Sequence, residues 1–104
     1  MADPQLVEAA AKEAGVVGQF DLAGRFAVVS GWGERPWFAP LDDDADCFQL
    51  ATRFDGLQLD QIVAKALATF SQPDLVRQYV RREVVLAVVQ ISLMTEEERH
   101  EHGR

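Results

Sequence analysis

The stretch Leu57-Gln58-Leu59-Asp60-Gln61-Ile62-Val63-Ala64-Lys65-Ala66-Leu67-Ala68-Thr69-Phe70 decides the fold. At a period of 3.6, Leu59, Ile62, Val63, Ala66, Leu67 and Phe70 share one face, and Asp60 can cap it. At a period of two, Leu57, Leu59, Val63 and Leu67 share a strand face, but Gln61 and Lys65 interrupt it. The pattern favours a helix. The whole chain reads as α+β, with helices packed on a small antiparallel sheet. A mainly helical bundle carrying a β-hairpin is the alternative.

Downstream, Ser71-Gln72-Pro73-Asp74 opens another helix, since proline suits the first helical position. Leu75, Val76, Tyr79, Val80, Val84, Ala87, Val88 and Ile91 form its apolar stripe. Arg77, Arg81 and Arg82 lie on or beside the opposite face, as solvated charges. The centre, Val84-Val85-Leu86-Ala87-Val88-Val89, is apolar all round, so the helix is buried on most sides. Valines are poor helix formers, and packing must supply the stability. Such an apolar helix, over residues 74–94, also allows a homodimer.

Upstream, Cys47, Leu50, Ala51 and Phe54 follow at helical spacing, Phe48 lies partly off that stripe, and Gly56 closes the helix. This helix starts in Asp42-Asp43-Asp44-Ala45-Asp46. Asp42 or Asp43 can serve as N-cap, and the other carboxylates sit at the positive end of the helix dipole. Trp37 and Phe38 add a brief edge strand that Pro40 ends. Gly31 to Pro36 is an irregular loop. Residues 16–20 and 25–30 form a β-hairpin about the turn residues 21–24. The first helix is capped by Asp3, has Pro4 in its first turn and ends at Gly15, with Leu6, Val7, Ala10, Ala11 and Ala14 inward. Residues 1–94 make one globular domain, and 95–104 a charged tail.

Composition narrows the function. At 104 residues, with 48% hydrophobic and 26% charged residues, the chain is one domain with a core of its own. Its net charge of −7 argues against direct nucleic-acid binding, which needs a basic footprint, and against docking on anionic membranes. The longest apolar run, six residues from Val84, is far too short for a membrane span. One cysteine, Cys47, permits no internal disulfide and suits a reducing, cytoplasmic setting. It reads as a packed structural thiol, since the preceding aspartates oppose thiolate formation.

Asp42, Asp43, Asp44 and Asp46 are the first candidate site. Oxygen-rich clusters suit Mg²⁺ or Ca²⁺, but the spacing, central glycine and distal glutamate of an EF-hand are missing. Capping and solvation describe the run better, so no metal and no cofactor are expected. Four carboxylates exceed what capping needs, and the surplus suits an acidic contact surface. Trp32 and Trp37 are candidate partner-binding residues because aromatics dominate hot spots, although loop tryptophans also roof cores. His100 and His102 lack the i, i+4 spacing of a zinc helix. Neither a serine–histidine–acid set nor a glycine-rich phosphate loop is present.

The segment from Trp37 to Leu57 resembles one in a family of small uncharacterised phage and prophage proteins, the phage ABA-sandwich domain family. The matching residues are Trp37, Pro40, Leu41, Asp42, Asp43, Asp44, Asp46, Leu50 and Gly56. Tyr79-Val80-Arg81-Arg82-Glu83-Val84-Val85 resembles the family's last helix, which opens with paired arginines. Ala39 departs from a polar position and Ala45 from a glycine. The resemblance implies helices with a small antiparallel sheet in which residues 57–70 are a strand, so that segment stays open between the two readings. It carries over no catalytic residues.

The expected function is a non-enzymatic, acidic phage- or prophage-encoded accessory protein acting through contacts with a protein partner in the bacterial cytoplasm. One alternative is an inhibitor of a host nucleic-acid-binding or anti-phage defence complex, with carboxylates mimicking phosphates. A second is a small metal-dependent enzyme using the aspartates.

Overall fold

The computed structural model describes residues 3–54 and 57–102. In chain order the elements are α1 (Asp3–Ala14), β1 (Val17–Phe20), β2 (Phe26–Ser30), α2 (Asp44–Thr52), α3 (Leu59–Thr69) and α4 (Pro73–His102). The arrangement is α+β: four helices and one two-stranded antiparallel sheet among the described residues.

Residues 59–69 are helical, as the 3.6 period predicts, so the strand implied by the family resemblance for residues 57–70 is not formed. Asp60 is not the cap. The helix opens at Gln58, whose left-handed backbone (φ 54°) and lack of a side-chain cap bond make a poor start. Packing against α4 compensates for that start, because α3 alone is too short to persist in water. Gly56, predicted to end α2, lies outside the described residues.

Local signals place the other boundaries. Gly15, at φ 78°, closes α1: its N–H donates to the Lys12 carbonyl at 3.2 Å and the Val16 N–H to the Ala11 carbonyl at 2.8 Å, a Schellman pair. The Asp21 carboxylate accepts from the Ala23 and Arg25 N–H groups, both at 2.9 Å, and so builds the hairpin turn. Those backbone bonds, first that from Arg25, hold the Asp21 carboxyl below its usual range. Phe20 pairs with Phe26 across the ladder, their rings edge to face at 5.2 Å. The segment at Trp37 bridges to Ala27, and the Phe38 N–H donates to the Phe26 carbonyl at 3.0 Å, so a short third edge forms where Trp37 and Phe38 predict one.

Helix α4 is the central post against which α1, α2 and α3 pack. Val84, Val85 and Val88 are fully buried and Val89 nearly so, with Leu6, Ala10 and Ala11 of α1 and Cys47, Leu50 and Ala51 of α2 in the same core. The helix continues unbroken past residue 94 to His102, so the predicted tail begins inside α4. Arg81 corrects the expectation of a solvated basic face. Its side chain is mostly buried between α4 and the start of α2, and its Nε donates to the Leu41 carbonyl at 2.9 Å. No helix, among the described residues, is long and apolar enough to cross a membrane.

Candidate functional site

The acidic run divides into four roles. Asp43 is the N-cap of α2: its extended backbone and its carboxylate, accepting from Ala45 N–H at 2.8 Å and Asp46 N–H at 3.1 Å, match the capping geometry. Asp44 faces α4, where it pairs with Arg81 at 2.5 Å and more loosely with Arg77 at 3.7 Å. Asp46 turns inward. Asp42 is exposed, and no hydrogen bond or ion pair to its side chain occurs among the described residues.

Asp46 is a residue that the sequence reading assigns to an acidic contact surface and the fold places in the core. It is 2% exposed, yet carries a carboxylate. One oxygen accepts from the Trp32 indole Nε1 at 3.1 Å and the other from the Ala39 N–H at 3.0 Å. The Arg35 Nε lies against the first oxygen as an ion pair rather than as an aligned hydrogen bond. A second Arg35 nitrogen reaches Asp43 at 3.5 Å. One buried carboxylate therefore ties the loop over residues 32–39 to the start of α2. The available signal was its position: three residues past the cap, an acid often reaches back to backbone N–H groups. Here it reaches Ala39 instead of the cap residue.

The two tryptophans part company. Trp32 is wholly buried, edge to face with Phe38 at 4.9 Å, so its expected place at a partner surface is not one it occupies. The Arg53 guanidinium covers its other side, 4.5 Å from the ring centroid, while donating to the Ala14 carbonyl at 2.8 Å. Trp37 is partly exposed, with the Arg25 guanidinium 4.0 Å over its ring. Cys47 is buried in the core, and burial pushes its thiol up to about 11, with Asp44 adding to the rise and Arg81 opposing it.

A cleft of about 670 Å³ opens between the N-terminus of α1, the hairpin and the loop over residues 34–43. Val7, Phe20, Phe26, Phe38 and Leu41 supply apolar walls. Five acidic residues (Asp3, Glu34, Asp42, Asp43 and Asp46) and two basic ones (Arg25 and Arg35) also line it. Asp3, Asp43 and Asp46 face arginines of the same chain, Asp3 pairing with Arg82 at 2.9 Å. Among the described residues Glu34 and Asp42 do not, and both are exposed at the cleft. The cleft thus joins an apolar interior to unbalanced negative charge, in the size range of binding sites. Of the expected site residues it gathers Asp42, Asp43, Asp46 and Trp37; Asp44 and Trp32 lie outside its lining. Among the residues described, no group of three or more histidine, cysteine, aspartate or glutamate side chains is placed to hold a metal ion.

Compared with protein-family models, curated proteins and solved structures, the chain has no match in any of the three.

Proposed function

We propose that this chain is a non-enzymatic interaction protein that takes a basic segment of a protein partner into the cleft between α1, the hairpin and the 34–43 loop. The observation that carries this reading is the pair of exposed carboxylates, Asp42 and Glu34, without partners among the described residues, beside an apolar cleft. A lysine or arginine side chain meets the carboxylates while a neighbouring apolar side chain fills the interior. The net charge of −7 steers a basic partner toward the chain. Trp37, stacked under Arg25, forms a rigid aromatic wall for the contact.

The phage or prophage origin, and with it action in the bacterial cytoplasm, rests on the likeness of residues 37–57 and of the paired arginines Arg81 and Arg82. Mimicry of nucleic-acid phosphates is the narrower reading. The internal roles of Asp43, Asp44 and Asp46 leave it only one free carboxylate of the run, which favours recognition of a single basic side chain over a charged surface.

The test is an affinity capture from bacterial lysate with two baits, the wild-type chain and the double variant Glu34→Lys/Asp42→Lys. A partner captured only by the wild type, and released by raising salt, supports the cleft. Equal capture by both baits sinks it.

A further inference from the structure

A second hollow shares no lining residue with the cleft. It is a groove of about 300 Å³ between α3 and the first turns of α4, closed along one side by α2. Phe48, Leu59, Val63, Val76 and Val80 are its walls. The Phe48 wall is 64% exposed, and Leu67 continues the α3 side one turn beyond Val63 at 63%. By the rise of an α-helix, the strip from Leu59 to Leu67 is about 12 Å long, which accommodates roughly two turns of a second helix. Single scattered apolar side chains are ordinary on a protein surface, whereas a continuous apolar strip marks a place where another chain packs.

The charge beside the strip selects the occupant. Arg77, Arg81 and Asp44 are the charged residues of the lining. Arg81 is mostly buried and holds Asp44 at 2.5 Å. Arg77 reaches that same carboxylate only at 3.7 Å and is 62% exposed. Two cations share one carboxylate, so the rim keeps one positive charge in excess, on a chain whose net charge is −7. The cleft carries the opposite excess, with five acidic residues against two basic ones. An apolar segment that brings its own carboxylate therefore meets Arg77 while Asp44 stays with Arg81. A basic segment is repelled there, and a second copy of the chain sets its Arg77 against the same residue across a two-fold axis. The walls select the shape of the segment. A groove between two helices is filled by side chains at i, i+4 and i+7 on one face of a third.

We propose that this groove docks an amphipathic helix of a partner protein, whose apolar side chains lie along Phe48, Val63 and Val76 and whose adjacent aspartate or glutamate pairs with Arg77. Burial of apolar surface supplies the affinity, and Arg77 supplies the choice of sign. The surface is separate from the cleft and opposite to it in charge preference.

Selection from a displayed library of helix-forming peptides on the immobilised full chain tests this, with the Phe48→Asp chain as a parallel target. Peptides that the wild type enriches and Phe48→Asp does not should carry apolar residues at i, i+4 and i+7 and an acid beside them. Their synthetic forms should bind Phe48→Asp roughly 30-fold more weakly, as expected for an aromatic anchor. Arg77→Glu should weaken them roughly tenfold and select lysine or arginine in place of the acid. Leu22→Glu, at the fully exposed hairpin tip, should change nothing. Circular dichroism checks folding, and Leu67→Glu takes the place of Phe48→Asp if that chain unfolds. The proposal is overturned if no peptide is enriched, if the enriched peptides lack an acid, or if the acidic preference survives Arg77→Glu. It is also overturned if sedimentation shows a wild-type dimer that Phe48→Asp dissociates, which gives the groove to a second copy.

Discussion

Asp46 with Trp32 and the centre of α4 are both buried but held by opposite means. Around Asp46, a few directional contacts converge on one carboxylate: an indole N–H, a backbone N–H and a guanidinium. Around Val84, Val85 and Val88, side chains without polar atoms fill space against three other helices. Burial of apolar area is non-directional and degrades gradually when a methyl group is lost. A buried polar centre fails abruptly, since removing one partner strands the rest without water or hydrogen bonds. The loop therefore owes its shape to one residue, whereas the helix core spreads its stability over many.

The largest effect is expected from Asp46→Ala. It leaves the Arg35 Nε, the Trp32 indole and the Ala39 N–H unmatched, at a cost of about 3–5 kcal/mol, a large share of the stability of a domain this size. Urea unfolding followed by tryptophan fluorescence measures it, with Asp46→Asn, which keeps an acceptor, falling between variant and wild type. Val88→Ala should cost less, about 2 kcal/mol from two lost methyl groups and the space they leave. If Val88→Ala proved the more damaging of the two, the contrast between the regions would collapse.

Cys47 sits where the two regions meet, and its effect is the smallest. Its folded thiol, pushed up to about 11, lies above the ordinary value of 9.0. The folded chain then holds its proton more tightly than the unfolded chain. That contribution is fully present below pH 9.0 and is lost as pH rises toward about 11. At pH 10 the loss is about 1 kcal/mol. Urea midpoints of wild type and Cys47→Ala should draw together over that window. A constant gap would show that burial does not govern the thiol.

Much of the fold is legible residue by residue. Gly15, Pro73 and the Asp21 turn mark boundaries because each acts within a few residues, through backbone conformation or a local hydrogen bond. The capping role of Asp43 is legible for the same reason. The hairpin and the buried middle of α4 follow from their apolar patterns. The helix over residues 59–69 follows from its period, even against a family likeness that implies a strand.

The site was less legible. Four aspartates within five residues look alike, and only the folded chain separates a cap, an ion-pair partner, a buried anchor and a carboxylate with no partner among the described residues. Asp46 finds Trp32 across 14 residues and Arg81 finds Leu41 across 40. No spacing rule connects such pairs. Most helix boundaries, the apolar faces and the acidic balance can be read from the residues alone, because those properties are local or additive. Which carboxylates lack a cation at the cleft follows from folding alone, since it depends on which arginines the packed helices and loop bring within reach.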